Sequence, residues 1–411
     1  MRREKTIFVI VNVNHRTMKI KCLFAGLFLL ATGITSHAQY YYRDAKNPEM
    51  LRHGERNDPS RKEIILPEVN GYTVYKVDLH THSVFSDGQV VPKFRVQEAW
   101  QDGLDAMAVT EHLESRSFEG MFHEYLKEYT NKEYKPKTEG ISGKRRMVDL
   151  NFAVNEAKKE AARNGLLIIP GTEISRNGAK VGHFNALFTT DNNTIYDPDA
   201  VQSMRNAKAQ GALVMHNHPG WRRVNMTMTE VEKAAYDEGL IDGVEVMNSE
   251  EFYPMIIDRV RERGLFIAAN SDIHVATDNI YGVNGQTRPM TLILARECSL
   301  DSLKSAIEAR RSIAYCHNTL CGEKQLLEDF FKASVKVRPV PGQENVCMLT
   351  NMTSVPYVID MGKGGNHLRL NPFSTIRVKA SKKTGKIKFT LVNVWIGVDS
   401  HLKVVLPQEW N

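Results

Sequence analysis

Short apolar runs that end in histidine, aspartate or glutamate recur along this chain and constrain its fold more than any other feature. Residues 74–77 lead into His80 and His82, and Asp87 follows five residues later. Alternate residues of a strand face the same side, so His80 and His82 present two imidazoles together. Other metal-binding residue types lie at or near the ends of similar runs: His112, Glu173, His216, His218, Asp272 and His274. The pattern predicts a metal site at one end of a set of strands.

Amphipathic segments separate the apolar runs and predict helices at residues 92–101, 148–164, 201–210, 229–238, 254–263 and 300–311. Strands that alternate with helices of ten to fifteen residues imply βαβ units and a parallel sheet. Seven or eight such strands before residue 296 favour a (β/α) barrel, whose chemistry lies at the carboxyl ends of its strands. His183 is the exception to this placement, because it begins its run or the preceding loop.

The chain of 411 residues, 42% hydrophobic and 25% charged, can form one large domain and one small domain. We predict a linker at residues 39–71, the main domain at 72–330 and a small antiparallel, sandwich-like domain at 335–411. The last of these carries no cluster of metal-binding residues and is interpreted as accessory. Its cysteines and those nearby lack zinc-finger spacing, so buried free thiols are expected, with a Cys316–Cys321 bridge as the alternative.

The N-terminal segment has the features of a secretory signal peptide. Lys19 and Lys21 precede an apolar core at residues 22–31, and small residues lead to Ala38. We therefore predict a signal peptide at residues 1–38, with Met18 as the alternative start, and a periplasmic or secreted protein. The alternative is a membrane anchor, but the core is short for a stable span.

The charge of the chain lies largely in this leader. Residues 1–38 carry a net charge of +5, against +6 for the whole chain, so the remainder is close to neutral. The net positive charge of the chain is therefore no indication of nucleic-acid binding, and no nucleic-acid partner is expected.

The motifs, taken in order, resemble the PHP (polymerase and histidinol phosphatase) family. They are DLHTHS at residues 78–83 with SDG at 86–88, AVTEH at 108–112, GTE at 171–173, GHFNALF at 182–188, NHPG at 217–220 and SDIH at 271–274. The resemblance covers roughly residues 72–320 and implies a distorted (β/α)7 barrel that binds two or three metal ions and hydrolyses phosphoesters. Among exported members, the chain looks most like bacterial organophosphate phosphodiesterases. Glu111 departs conservatively from the aspartate that is common in the family.

The resemblance also implies a set of ligands. One ion would be bound by His80, His82, Glu173 and Asp272. Glu173 would bridge to a second ion bound by His183 and His218, and a third would be bound by Asp87, His112 and His274. His218 is preferred to His216 because the family's ligand histidine directly precedes a proline.

Several residues are candidates for roles beside metal binding. Asp272, His274 and His216 are the candidate catalytic residues, and His216 is predicted to contact substrate or support a ligand. Arg222 and Arg223 follow NHPG and are candidate substrate contacts, with ordinary surface arginines as the alternative. Arg145 lies in a long basic loop at residues 114–147 and is a further candidate, with a solvated charge run as the alternative.

A site of histidines and carboxylates suits Zn, Mn or Fe ions better than Mg or Ca. The expected activity is that of an exported phosphodiesterase or phosphomonoesterase, in which a metal-bridging hydroxide attacks a small phosphorylated or organophosphate substrate. One alternative is a metal-dependent amidohydrolase or lactonase on the same barrel. The other is a binding module of the cell envelope with structural metals. The sequence leaves the oligomeric state open.

Overall fold

A computed structural model of the chain describes residues 60–116, 149–175, 181–283, 285–362 and 367–411. The predicted signal peptide, most of the linker, and Arg145 lie outside the described residues. Ser60–Asn411 forms one unit by its internal contacts, so the predicted division near residue 330 stays a prediction. Within the described ranges, no helix is long and apolar enough to cross a bilayer.

The first ten strands belong to the predicted main domain. They are β1 (Thr73–Asp78), β2 (Ala106–Val109), β3 (Leu167–Ile174), β4 (His183–Leu187), β5 (Leu213–Asn217), β6 (Gly243–Asn248), β7 (Glu251–Phe252), β8 (Phe266–Asn270), β9 (Met290–Ala295) and β10 (Ser312–Cys316). Most of the central strands are buried along their whole length, as expected of strands covered on both faces. This explains why they read as continuous apolar runs in the sequence.

The helices of the described residues are α1 (Pro92–Gln101), α2 (Phe152–Ala161), α3 (Ala200–Ala209), α4 (Glu230–Asp237), α5 (Ile257–Glu262), α6 (Leu300–Glu308) and α7 (Lys324–Ser334). Six of them lie within or close to the predicted segments. Helix α4 begins with a capping box, in which Thr229 and Glu232 satisfy each other's backbone amides. The segment predicted at 254–263 is divided between a 3₁₀ turn, Pro254–Ile256, and α5.

The central sheet is mixed, which corrects the prediction of a parallel sheet. Strands β1, β2 and β3 pair in parallel, as do β5, β6 and β8. Strand β4 lies between the two groups and is antiparallel to both β3 and β5. The start of β4 therefore lies beside the carboxyl ends of its neighbours, with His183 opposite Asn217. This reversal explains why His183 begins its apolar run whereas the other candidates follow theirs.

Among the described residues, β8 pairs with β6 alone. Strand β9 pairs with β1 and runs antiparallel to it. Beyond the end of β1, however, the chain meets the segment that follows β8. The amide of Asp272 donates to the carbonyl of His80 at 2.9 Å, and the amide of His82 donates to the carbonyl of Ile273 at 3.2 Å. These bonds bring two predicted ligand segments together, while a closed barrel stays a prediction.

The C-terminal strands are β11 (Thr319–Gly322), β12 (Val335–Pro339), β13 (Val346–Asn351), β14 (Tyr357–Asp360), β15 (Leu368–Leu370), β16 (Thr375–Lys379), β17 (Ile387–Gly397) and β18 (Ser400–Leu406). Strands β12, β13 and β16 form a separate antiparallel sheet. Strand β17 instead pairs in parallel with β11, so the other C-terminal strands continue the large sheet. The predicted strands are present, but one of the two sheets is not independent of the main domain. Cys316 and Cys321 are buried free thiols.

Candidate metal centre

The nine predicted ligands converge at the carboxyl ends of the strands. Their nitrogen and oxygen atoms form four overlapping groups, each with its atoms within 4.8 Å of one another. The groups are His82, Asp87, His112 and His274; His80, His82 and Glu173; His80, His218 and Asp272; and Glu173, His183 and His218. The resemblance assigned His82 to one ion only, whereas its ring also stacks on those of His112 and His274.

His80 and His82 follow the last residue of β1 and point the same way. Their Nε2 atoms lie 3.0 Å apart, a distance that fits either an N–H···N hydrogen bond or two ligands that face one cation. Asp272 Oδ1 lies 3.2 Å from the Nε2 of His80 and 3.1 Å from that of His82. The strand geometry and the turn after β8 together place two imidazoles and a carboxylate around one point.

Glu173 lies at the centre of the cluster and is fully buried. Its carboxylate is 2.6 Å from His112 Nδ1, 3.1 Å from His183 Nδ1 and 3.7 Å from His218 Nε2. A carboxylate with imidazoles on several sides is suited to bridging two ions. The position of Glu173 near the end of β3, beside the reversed strand β4, produces this arrangement.

The electrostatics of the metal-free cluster favour ionised carboxylates. Burial raises the pKa of Glu173, but His112, His80 and His183 outweigh it and hold that pKa well below its usual range. Burial lowers the pKa of His112, yet the carboxylates of Glu173 and Asp87 raise it to about 10. Burial and the charges of His274 and His112 lower the pKa of His82 to about 3. His82 is therefore neutral, as a ligand must be.

Unsatisfied polar atoms test whether the cluster fits metal ions. Among the described residues, Asp87 Oδ1, His112 Nδ1 and Glu173 Oε2 are buried and have no hydrogen-bond partner. His112 Nδ1 and Glu173 Oε2 are 2.6 Å apart, but the pair lacks hydrogen-bond geometry. Buried polar atoms without partners are costly. Divalent cations bound in the group of His82, Asp87, His112 and His274 and in the groups that contain Glu173 would satisfy them. The donor set of imidazoles and carboxylates suits Zn, Mn or Fe.

Glu245 is a supporting residue that the sequence reasoning missed. It is fully buried in β6 and accepts from His80 Nδ1 at 2.8 Å and from the amide of His218 at 2.9 Å. The first bond fixes the tautomer of His80, so that Nε2 faces the cluster. A carboxylate in the middle of the apolar run at residues 243–247 was the available signal.

Glu111 and Arg95 are further supporting residues of the cluster. Glu111 accepts from the hydroxyls of Ser83 and Ser86 and from the amide of Ser83 at 3.1 Å. Arg95 donates to the carbonyl of His82 at 3.0 Å and to that of Val275 at 3.0 Å. The two side chains thereby hold the segments that carry His82, Asp87 and His274.

The four groups of candidate ligands do not include His216, and its candidate catalytic role stays a prediction. His216 is fully buried, and its ring nitrogens lie 2.9 Å from the Tyr236 hydroxyl and 2.9 Å from Glu232 Oε1. The alternation of strand residues does not extend to His218, which follows the end of β5 and has a positive φ of 23°. Asn217, which lies between the two histidines, points into the cluster and donates to Glu173 Oε1 at 2.9 Å.

Arg222 and Arg223 occupy different surroundings. Arg223 forms a two-bond ion pair with Glu232, at 2.9 and 2.6 Å, and does not line the cleft, so its role as a substrate contact stays a prediction. Arg222 is exposed at the edge of an open cleft of about 1190 Å³ that contains the cluster. Its guanidinium lies 4.4 Å above the ring of Trp221, a cation–π contact. Trp221 in turn contacts the rings of His183 and His218.

The pattern of the PHP domain matches residues 78–281, the region that supplies every predicted ligand. A crystal structure of a two-domain protein from Bacteroides vulgatus, which contains a predicted PHP-like metal-dependent phosphoesterase, is 32% identical to the chain. The match covers 85% of this chain and 99% of that one, with a TM-score of 0.74. The chain belongs to the PHP family. The resemblance seen in the sequence motifs is thereby confirmed, and this PHP protein shares its fold over nearly the whole of that relative.

More distant structures also match this PHP protein. A lesion-specific endonuclease from Pyrococcus furiosus is 16% identical, with 61% of this chain and 59% of that one covered and a TM-score of 0.37. An amidohydrolase from Chromobacterium violaceum, with bound sulfate and no metal, is 15% identical, with 50% and 89% covered and a TM-score of 0.34. At these values the likeness supports no conclusion about activity. No curated protein matches the chain.

Proposed function

We propose that this protein is a metal-dependent phosphoesterase that acts on small phosphorylated or organophosphate substrates at a site for two or three divalent ions. The observation that carries the proposal is the convergence of nine histidine and carboxylate side chains, three of which leave buried polar atoms without hydrogen-bond partners among the described residues. Membership of a family with PHP-like metal-dependent phosphoesterases supports the reaction class.

The residues have distinct proposed roles. His80, His82, Glu173 and Asp272 would hold one ion, and His183 and His218 would hold a second that shares Glu173. Asp87, His112 and His274 would hold a third, with the ring of His82 close to it. When bound, such ions supply Lewis-acid activation of water and of the phosphoryl group.

The chain's own groups would orient the substrate at these ions. Arg222 presents a guanidinium at the edge of the cleft, where it can contact a phosphoryl oxygen. Asp272 Oδ2 lies 3.7 Å from His218 Nε2. His274 is the most exposed of the nine candidate ligands, with 35% of its side chain accessible. In a two-ion form, in which His274 binds no ion, its protonated ring would give a proton to the leaving oxygen.

The experiment combines metal analysis with turnover. Purified protein is loaded with Zn, Mn or Fe and assayed on a para-nitrophenyl phosphate monoester and diester, together with an amide and a lactone. We expect His82→Ala and Asp272→Ala to lose bound metal and to lower phosphoester turnover by at least about a hundredfold. His367→Ala, at an exposed position of the C-terminal part, is the control. Turnover of the amide or lactone alone, or full activity in either ligand variant, contradicts the proposal.

We also propose that residues 1–38 direct export to the periplasm or the medium. The basic start, the short apolar core and the small residues near Ala38 support this proposal. N-terminal sequencing of protein recovered from the periplasm and medium of expressing cells tests it. A protein that keeps residues 1–38 and stays in the cytosolic fraction contradicts it.

A further inference from the structure

Glu232 is fully buried in a polar cluster beside the metal centre that the proposed reaction does not use. Its carboxylate accepts two bonds from Arg223, at 2.9 and 2.6 Å, and lies 2.9 Å from His216 Nε2. His216 therefore donates through Nε2 and accepts from the Tyr236 hydroxyl through Nδ1, at 2.9 Å. A buried carboxylate with this many charged and polar contacts is rigidly placed.

The same carboxylate lies against the segment that leads into His183. A Cβ atom added to Gly182 would lie 2.6 Å from Glu232 Oε1, and Gly182 has a φ of +91°. Thr229, which forms the capping box with Glu232, donates from its hydroxyl to the carbonyl of Val181 at 3.2 Å. The first turn of α4 therefore fixes the backbone immediately before one predicted ligand.

Residues 218–223, here called the arm, connect a second predicted ligand with the candidate substrate contact. The arm begins at His218 and turns through bonds from Trp221 N to His218 O, at 2.9 Å, and from Arg223 N to Gly220 O, at 3.1 Å. The Trp221 ring lies 5.4 Å from the rings of both His183 and His218. The arm thus places Trp221 directly on the metal centre.

Arg222 adopts an unfavourable backbone conformation within the arm. Its φ of +53° lies in the left-handed region, which non-glycine residues rarely occupy. Such a conformation costs free energy and persists only where surrounding contacts impose it. The next residue, Arg223, supplies those contacts, because its two bonds to Glu232 fix the end of the arm. The guanidinium of Arg222 is thereby held over the face of Trp221.

We propose that Glu232 is a positioning residue, which fixes the arm through Arg223 and so holds Arg222 where it contacts the phosphoryl group of the substrate. This inference rests on the proposed phosphoesterase function and extends it to the residue that sets the geometry of the anion contact. Glu232 itself touches neither substrate nor ion. Its effect on the reaction passes through Arg223 and Arg222.

The test compares Glu232→Gln and Arg223→Met with Glu238→Gln. The control disrupts another two-bond pair, in which Arg205 binds Glu238, the residue after the end of α4, at 2.9 and 2.7 Å on the exposed surface. Each protein is loaded with metal and measured for metal content, for KM and kcat on a para-nitrophenyl diester, and for binding of inorganic phosphate by calorimetry. Should Glu232→Gln fail to fold, Arg223→Lys keeps the buried charge but loses the two-bond geometry and carries the same comparison.

We expect the two variants to raise KM and weaken phosphate binding by about tenfold, the usual effect of losing a charged hydrogen bond. Metal content should stay unchanged and kcat should change by less than about threefold, since a contact made equally in ground and transition states affects KM. Glu238→Gln should behave as the parent. In an Arg222→Ala background, Glu232→Gln should add less than about a twofold effect, because the contact it positions is already absent.

Unchanged KM and phosphate binding in Glu232→Gln or Arg223→Met overturn the proposal. Effects that multiply with Arg222→Ala also overturn it, because they show that Glu232 acts independently of Arg222. Failure of the proposed function gives a different result, since the parent protein then hydrolyses neither ester. Phosphate binding in the same set of variants still decides the role of Glu232 in that case.

Discussion

At the scale of single residues, the candidate centre depends on buried side chains that hold the ligands rather than on the ligands alone. Glu245 also accepts from the side-chain amides of Asn248 at 2.8 Å and Asn270 at 2.9 Å. With its bonds to His80 and His218, its carboxylate is satisfied on both oxygens. Such carboxylate–histidine pairs orient ligands and raise their basicity. Glu245 therefore serves two ligands from one position beneath the centre.

Glu245→Gln is expected to weaken metal binding by about 10- to 100-fold, the usual cost of losing a supporting carboxylate. The amide keeps the shape of the side chain but cannot accept from His80 with the strength of a carboxylate. Competition with a chromophoric chelator measures the affinity. Glu230→Gln, at an exposed position in the first turn of α4, is the control. Equal affinities in the two variants would exclude the supporting role.

Metal binding should release protons because we expect the proposed ligand His112 to be protonated in the metal-free protein at neutral pH. Its pKa is about 10, since Glu173 and Asp87 outweigh burial. A metal ion must displace that proton, so apparent affinity should rise with pH from about 6 to 9 and level off as His112 loses its proton. Calorimetry in buffers of different ionisation enthalpy measures the release. Affinity that is independent of pH over this range contradicts the prediction.

At the scale of elements, the loop between β1 and α1 presents Asp87 by folding back on the backbone of the ligand segment. The amides of Ser86 and Gly88 both donate to the carbonyl of Ser83, and the amide of Gln89 donates to that of His274. A Cβ on Gly88 would lie 2.8 Å from the Ser83 nitrogen and 2.9 Å from the His82 carbonyl carbon. Only glycine permits this close approach.

Gly88→Ala should therefore displace Asp87 and reduce metal binding at the group of His82, Asp87, His112 and His274. The neighbouring groups around Glu173 do not include Asp87, so they should keep their ions. We expect elemental analysis to find about one ion fewer per chain than in the parent. Gly322→Ala is a matched control, because its added Cβ would meet its nearest atom at 3.5 Å, an ordinary contact. Equal metal content in the two variants would refute the steric argument.

The sequence predicted which strands carry the candidate ligands better than it predicted the direction in which each strand runs. The residues at the ends of β1, β3 and β8 were evident because apolar runs ended in them. The reversal of β4 was not evident, since five buried residues read alike in either direction. His216 and His218 showed the limit of strand alternation, because β5 ends at Asn217 and the alternation ends with it. Glu245 and Glu111 needed three-dimensional contacts to reveal what they hold.

At the scale of the whole molecule, the C-terminal strands contact the part of the chain that forms the cleft. The ring of Trp395, in β17, meets the ring of Phe252 edge to face, with centroids 5.1 Å apart. Phe252 belongs to the β6–β7 hairpin, whose residues Asn248 to Glu251 line the cleft. The pairing of β17 with β11 keeps Trp395 in register with Cys321. The accessory strands therefore support one wall of the candidate active site.

Trp395→Ala should loosen this wall without affecting the metal centre. Loss of an aromatic pair costs about 0.5–1.5 kcal/mol beyond the area it buries, so we expect KM to rise about threefold to tenfold while metal content stays constant. Trp410→Ala is the matched control, since Trp410 bonds Lys332 and Val337 in the C-terminal part and does not line the cleft. Both variants are compared at temperatures well below their measured Tm. If Trp410→Ala raises KM as much as Trp395→Ala does, the effect comes from general loosening of the C-terminal strands, and the specific support of the hairpin by Trp395 is refuted.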